Sequence, residues 1–153
     1  MKEAIANAGV FNLIIIFTII LMAFFIGSLG YSKAFKVKNY IINEIEKNEK
    51  WSRGVQEKVD NWLGEIGYRR DGARKSCPVI NKKSAINDLQ SSYHYCVYEF
   101  TNVRNEKGSA SRITRSSKYY RVIAYMYFDV PVIGELVKIP VTGETKSFTT
   151  FNS

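Results

Sequence analysis

The sequence has little of what enzymes use for chemistry. It holds one histidine, His94, and two cysteines, Cys77 and Cys96, in 153 residues. It contains no cysteine pairs at the spacing of zinc sites, no glycine-rich phosphate loop and no serine turn of the hydrolase type. His94 falls in a predicted strand, where a lone histidine is ordinarily part of the packing. These absences argue against catalysis, a metal or another cofactor.

Charged side chains are absent from residue 4 to residue 32. Within this stretch the run VFNLIIIFTIILMAFFI is apolar. A helix rises about 1.5 Å per residue and the hydrocarbon core of a membrane is about 30 Å thick, so about 20 residues cross it. The rest of the chain has no apolar run of comparable length. We therefore predict a short N-terminal segment, 1–7, one transmembrane helix, 8–31, and a domain on one side of the membrane.

A cleaved secretory signal is the alternative interpretation of this run. The apolar part of a signal is about 7 to 15 residues long and follows a basic segment. Here the run is longer, and Lys2 is balanced by Glu3. Ser28 and Gly30, on either side of Leu29, are the small residues that a cleavage site needs, so cleavage stays open. A retained anchor fits the length better, and membrane lipid is then an expected partner.

Two features give opposite orientations for the anchor. Lys33, Lys36 and Lys38 follow the span, and the positive-inside tendency places that flank in the cytoplasm. Cys77 and Cys96 instead suggest a disulfide in an oxidising compartment, which would close a loop of about 20 residues and stabilise the fold by roughly 3 kcal/mol. Two unrelated thiols are the alternative. We favour the disulfide, and with it a single-pass protein of the cell membrane whose C-terminal domain is extracellular.

Periodicity predicts an amphipathic helical region over residues 32–67. Its first part continues the membrane helix outward, with apolar residues at steps of three and four and charged residues between them. That apolar face consists of Ala34, Val37, Ile41 and Ile45. A second helix follows, with Ser52 as its N-cap and Gly67 as its stop. Its apolar face consists of Val55, Val59, Trp62 or Leu63, and Ile66.

Residues 68–153 are predicted to form a basic loop and then a small antiparallel sheet. Strand segments are dense in aromatic and β-branched side chains, which suit a pleated surface. Four segments have this character: residues 93–101, 118–130, 135–141 and 145–151. With the helices they define an α+β class, in which one N-terminal transmembrane helix is extended by an amphipathic helix and followed by the sheet domain.

The turn formers and the alternation of side chains predict further details of the sheet. A long connection is expected over residues 102–117, and a turn over residues 142–144. Pro140 would lie at an edge or a bulge, because proline has no N–H to donate. The face with Tyr125 and Tyr127 is expected to meet solvent or a neighbour, and the opposite face to receive the amphipathic helix.

Positive charge is concentrated in the middle of the domain. The formal net charge is +8, and residues 69–121 hold twelve Lys or Arg against four Asp or Glu. A cluster of this kind attracts nucleic acid, anionic lipid or acidic wall polymers. The alternative is an ordinary solvated basic face. The candidate patch consists of Arg69, Arg70, Arg74, Lys75, Lys82 and Lys83.

The order of these parts resembles that of type IV pilin-like proteins, and more specifically that of the TadE-like pseudopilins of tight-adherence (Flp-type) pilus systems. The resemblance covers most of the chain and lies in its architecture. The similar features are the uncharged start NAGVF at residues 7–11, the helix through residues 40–45, and the ending. That ending has a strand at 122–125, an apolar proline-glycine connection at 131–134 and a final strand leading to 139–144.

The resemblance implies a minor subunit or an assembly component of a cell-surface pilus or secretion machine, without catalysis. It makes Gly9 the candidate site of prepilin processing. Ala23 and Gly27, four residues apart, would let a partner helix approach closely. The expected partners are other pilin-like subunits or pilus assembly proteins, in a homo- or hetero-oligomer.

Two functions from other classes stay open. The first is a membrane-tethered binding module whose basic patch captures an anionic polymer such as DNA or a wall polymer, with binding that falls steeply as salt is added. The second is a membrane-bound enzyme that acts on envelope material through scattered Asp and Glu residues, among which the sequence favours none.

Overall fold

The structure, a computed structural model, describes residues 2–68, 76–87, 92–105, 114–129 and 136–152. The order of elements is a long helix, a short helix and four strands. Their bounds are α1 (Lys2–Asn48), α2 (Arg53–Glu65), β1 (Tyr95–Asn105), β2 (Thr114–Asp129), β3 (Leu136–Glu144) and β4 (Phe148–Asn152). The predicted α+β class, a long N-terminal apolar helix followed by a small antiparallel sheet, is confirmed.

Helix α1 is one unbroken helix of 47 residues, about 70 Å long at 1.5 Å per residue. It runs from Lys2 through the predicted boundaries at residues 7 and 31, so the apolar segment and its amphipathic extension form one rod. The large apolar side chains from Val10 to Leu29 are exposed, with 76% of Phe24 accessible. With a mean hydropathy of 2.7 and none of its most apolar stretch buried, this helix is long and apolar enough to cross a membrane.

The C-terminal part of α1 packs on the sheet through the predicted apolar face. Val37, Ile41 and Ile45 are fully buried, and Ala34 is 1% exposed. They meet inward-facing side chains of β1 and β2, among them Val97. Burial of each large aliphatic side chain contributes about 1.5–3 kcal/mol. This contact fixes the long helix to the domain.

Helix α2 begins and ends where the sequence predicts. The Ser52 hydroxyl accepts a hydrogen bond from the Val55 N–H at 3.4 Å, and Gly67 adopts a left-handed φ of 62° just beyond the end, which glycine does at little cost. The rings of Tyr40 and Trp62 stack at 3.9 Å and attach α2 to α1. The buried face of α2 consists of Val55, Val59 and Leu63.

The sheet is built around β2. Strand β1 pairs antiparallel along one side of β2, while β3 and β4 both pair antiparallel along the other side, one after the other. Compared with the prediction, β1 extends to Asn105 and β2 starts at Thr114. The expected connection over residues 102–117 is therefore shorter, because backbone pairing continues into these residues, most of which are polar in sequence.

The predicted turn at residues 142–144 is wrong, since these residues belong to β3. Gly143 lies opposite Val122 and directly under α1. A Cβ at this position would lie 2.6 Å from Lys38 Cδ and 2.8 Å from Ile42 Cδ1. Glycine is here the residue that lets the helix approach the sheet, not a turn former.

The break between β3 and β4 is a β-bulge. Residues 145–147 face only Tyr119 and Tyr120 of β2, so this side carries one extra residue. The Thr145 N–H donates to the Tyr120 carbonyl at 2.9 Å, and the Thr145 hydroxyl accepts from the Tyr120 N–H at 3.0 Å. Because side chains alternate between faces, the extra residue returns Phe148 to the helix side, where it packs near Tyr120.

Pro140 lies in the edge strand β3, as predicted, opposite Tyr125. Tyr125 directs both its N–H and its carbonyl away from β3, because both bond to the Tyr68 hydroxyl. Tyr125 and Pro140 therefore form a non-hydrogen-bonded pair of the antiparallel ladder. Because this pair uses no N–H of Pro140, proline leaves no carbonyl of β2 without its partner.

Candidate functional site

The sheet face opposite the helices is covered by residues 76–87. This corrects the expectation that the face with Tyr125 and Tyr127 meets solvent or a neighbour: Tyr125 is 8% exposed and Tyr98 is fully buried. This segment, residues 76–87, is called the cover. It is largely polar and has no apolar periodicity, so the hydropathy of the sequence gave no indication that it covers the sheet. The cluster under the cover consists of Cys96, Tyr98, Phe100, Ile123 and Tyr125, against which Cys77, Ile80 and Ala85 pack.

A disulfide joins the cover to the sheet. Cys77 and Cys96 are bonded, with a Cα–Cα distance of 5.8 Å and a sequence separation of 19, so the predicted pair is present. Cys96 is fully buried in β1, whereas Cys77 is half-buried at the start of the cover. The bond therefore anchors one end of the cover to the middle of the sheet face.

The other end of the cover closes the free edge of β1. The Asn87 amide donates to the Tyr95 carbonyl and accepts from the Val97 N–H, both at 2.9 Å. The Ile86 N–H donates to the Val97 carbonyl at 2.8 Å. The Asn87 amide thus bonds to β1 as the backbone of a neighbouring strand would. The edge of β1 therefore offers fewer free N–H and carbonyl groups for pairing with another chain.

A tight turn forms the middle of the cover. Ile80 and Lys83 exchange two backbone hydrogen bonds of 3.0 and 2.9 Å. Asn81 and Lys82 between them have φ values of 50° and 62°, as a two-residue hairpin turn of type I′ requires. The Lys83 ammonium donates to the Glu99 carbonyl at 2.8 Å and so reaches β1.

The predicted basic patch is only partly described. Lys82 is exposed at the tip of the turn, and Lys83 is attached to β1. The other members, Arg69, Arg70, Arg74 and Lys75, lie outside the described residues.

Two further basic residues of the domain are paired with acids on the sheet. Lys118 lies 3.0 Å from Glu99, and Arg121 lies 2.6 Å from Glu144. The hydrogen bond to Glu99 raises the pKa of Lys118. Such partly exposed pairs stabilise the fold by less than about 1 kcal/mol, but they neutralise part of the positive charge that composition alone suggests.

His94 lies just before β1 rather than inside it, and it is buried. Its ring stacks on that of Tyr125 at 4.2 Å, and its Nε2 lies 3.3 Å from the Ser76 carbonyl. Within the described ranges, one group of possible metal ligands comes together: the ligand atoms of Cys77, His94 and Cys96 lie within 4.8 Å of one another. Both sulfurs are bonded to each other, however, and a metal binds the thiolate, so this arrangement serves packing.

The buried phenols under the cover are hydrogen-bond donors. Burial, with a smaller contribution from Tyr125, raises the pKa of Tyr98 to about 12, and burial also raises the pKa of Tyr125. Tyr98 donates to the Pro78 carbonyl. The Tyr125 hydroxyl lies 3.7 Å from Cys96 Sγ, and it is the donor because a disulfide sulfur carries no proton. Both phenols stay protonated at neutral pH. Tyr98 thereby attaches the cover to β1, whereas the Tyr125 hydroxyl bonds to β1 within the sheet.

The candidate processing and packing residues all lie on the exposed part of α1. Gly9 has open space around its Cβ position. Ala23 is exposed and Gly27 is partly exposed. Gly30 lies on the same helix face and contacts Met126, where an added Cβ would come within 3.2 Å of its Cγ. Ala23, Gly27 and Gly30 therefore form one line of small residues along α1, and this line ends at the surface where α1 packs on its own domain.

Comparisons with known proteins give no relative for this chain: no family model, no curated protein and no solved structure matches it. The resemblance to TadE-like pseudopilins therefore rests on the order and character of the chain's own segments alone.

Proposed function

We propose that this chain is a membrane-anchored, pilin-like subunit of the TadE-like kind, acting as a minor subunit or assembly component of a cell-surface pilus or secretion machine. The proposal rests on one observation: the two parts of α1 have different surroundings. A single helix is apolar and exposed in its first part and packed on an antiparallel sheet in its second part. The exposed part suits a bilayer before assembly and a bundle of neighbouring helices after it.

In this proposal the subunit works by packing rather than by catalysis. Ala23 and Gly27 offer a flat strip on which a second helix can approach closely. The fifth residue after Gly9 is Ile14, where processed pilins carry a glutamate that registers neighbouring subunits. Association would therefore depend on shape and apolar contact along the helix.

The domain is proposed to lie outside the cell membrane, and the disulfide supports this orientation. In intact cells, a membrane-impermeant thiol reagent should label the protein only after a mild external reductant. Because Cys96 is fully buried and Cys77 half-buried, Cys77 should react first. Labelling that needs cell lysis instead would place the domain in the cytoplasm and would contradict the pilus role.

Cysteine cross-linking in native membranes tests the proposed association. The two native cysteines are joined to each other, so a cysteine introduced at Gly27 is available for oxidation. We expect Gly27→Cys to form a covalent product with another copy or with another protein that has an apolar N-terminal helix, identified by mass spectrometry. Phe25→Cys is the matched control, because Phe25 is 66% exposed and lies on the opposite face of α1. Equal yields at both positions, or no product at either, would reject this packing face.

A further inference from the structure

A cavity lies where the exposed part of α1 gives way to the part packed on the domain. It is an open cleft of about 570 Å³ between α1, the end of α2 and the end of β2, a volume within the range of ligand sites. Its walls include Ile26, Leu29, Lys33, Lys36, Trp62 and Tyr127. Ile26 and Leu29 are 48% and 61% exposed, whereas Ala34 is only 1% exposed. If α1 crosses a membrane, the cavity therefore opens at the level of the lipid headgroups.

The charge of the cavity has one sign. Lys33 and Lys36 are three residues apart and share a helix face, and none of the described residues that line the cavity is acidic. The Lys33 ammonium donates one hydrogen bond to the Gly67 carbonyl at 3.0 Å, which holds it at the rim and leaves two of its protons for a ligand. An anion with several oxygens complements this rim.

The rest of the wall suits the part of a lipid next to its phosphate. Ile26 and Leu29 continue the apolar surface of the membrane helix, and Trp62 and Tyr127 have amphipathic rings of the type found at membrane interfaces. Trp62 is held by its stack on Tyr40 at 3.9 Å, and Tyr127 by an edge contact with Tyr68 at 5.9 Å. The wall is thus formed before any ligand binds.

We propose that this cavity binds an anionic phospholipid of the membrane that α1 crosses, with the phosphate between Lys33 and Lys36 and the upper acyl chain along Ile26 and Leu29. The site selects anionic over zwitterionic lipid, because each lysine near a charged membrane surface contributes about a fivefold gain in affinity. The inference requires α1 to span a bilayer and does not depend on the pilin-like role.

Fluorescence of Trp62 tests the site directly in the full-length protein. The chain has two tryptophans, and Trp51 packs against Tyr95 in the β1 region, so Trp51→Phe leaves Trp62 as the single reporter. The protein is placed in phosphatidylcholine nanodiscs containing increasing fractions of a lipid with brominated acyl chains, which quench tryptophan on contact. Because two lysines face the phosphate, we expect brominated phosphatidylglycerol to reach half-maximal quenching at a mole fraction roughly 25-fold lower than brominated phosphatidylcholine.

Two double variants separate the site from general charge attraction. Lys33→Gln with Lys36→Gln should remove the preference for phosphatidylglycerol. Lys38→Gln with Lys50→Gln removes the same charge from residues that do not line the cavity, and it should keep the preference. Equal quenching by the two lipids in the Trp51→Phe protein would overturn the proposal whether or not the lysine variants fold. Equal loss of preference in both double variants would overturn it as well.

Discussion

The Tyr68 hydroxyl donates a hydrogen bond to the Tyr125 carbonyl at 2.7 Å and accepts one from the Tyr125 N–H at 3.1 Å. Tyr95 pairs with Ala124, so His94 would be the next residue opposite Tyr125. The Tyr68 hydroxyl makes the two hydrogen bonds that the backbone of His94 would otherwise make with Tyr125. A side chain that follows α2 thus completes the ladder between β1 and β2.

Tyr68→Phe should destabilise the fold by about 1–3 kcal/mol, because it leaves a buried N–H and a buried carbonyl of Tyr125 without their partner. Urea unfolding of the full-length protein in detergent, followed by near-UV circular dichroism, measures the change. Tyr119→Phe is the control, since Tyr119 is half-buried and makes a ring stack with Phe100 that phenylalanine retains. A similar small effect for both variants would show that the hydroxyl of Tyr68 is dispensable.

Thr145→Val tests the bulge between β3 and β4. Valine has nearly the shape of threonine but lacks the hydroxyl that accepts from the Tyr120 N–H. We expect a loss of about 1–3 kcal/mol in the free energy of unfolding. Thr142→Val, an exposed position in β3, should change stability by less than about 0.5 kcal/mol. If the two variants unfold alike, the bulge does not depend on the Thr145 side chain.

Reduction of the Cys77–Cys96 disulfide should lower stability by about 3 kcal/mol, the value for a loop of this length. It should also release the cover locally before the sheet unfolds. Hydrogen exchange of the Ile86 N–H, which bonds to the Val97 carbonyl, should then accelerate, while amides in the centre of β2 stay protected. Unchanged exchange at Ile86 after complete reduction would mean that the Asn87 contacts hold the cover without the disulfide.

Stability should fall between pH 10 and pH 12. Burial raises the pKa of Tyr98 from its ordinary value of 10 to about 12, so in this window the folded state keeps a proton that the unfolded state loses. The contribution is complete below pH 10 and is lost as pH rises toward 12, at up to about 1.4 kcal/mol per pH unit. Burial also raises the pKa values of Tyr120 and Tyr125, which act in the same direction.

Tyr98→Phe checks this origin of the alkaline sensitivity. The variant should be less stable at neutral pH, because it loses the hydrogen bond to the Pro78 carbonyl. Its stability should nevertheless fall less steeply above pH 10 than that of the wild type. Parallel curves in brief denaturant titrations at pH 9 to 12 would assign the sensitivity to other groups.

Local patterns in the sequence predicted the helices and the cysteine pair well. The apolar face from Ala34 to Ile45 and the cap at Ser52 depend on nearby residues, and each is found as expected. The break before α2 is also local, since Glu49 adopts a φ of 54° between the two helices.

Features that depend on distant parts of the chain were missed or misassigned. Gly143 looks like a turn former in sequence, and only the approach of Lys38 and Ile42 explains it. The cover over Tyr125 has no apolar periodicity, because the disulfide and the Asn87 amide hold it in place of a hydrophobic face. The cavity between the exposed and the packed parts of α1 combines residues from α1, α2 and β2, and no local pattern brings them together.

Because α1 has no hinge between its apolar part and the sheet, a change in the tilt of the helix is transmitted to the domain as a rigid lever. A tilt of about 20° displaces the far end of a helix about 70 Å long by roughly 24 Å. If α1 crosses a membrane, lateral forces on the domain would therefore be transmitted through the helix to the surrounding lipids. A change in bilayer thickness that alters the tilt of the helix would, conversely, swing the whole domain about the point where the helix enters the bilayer.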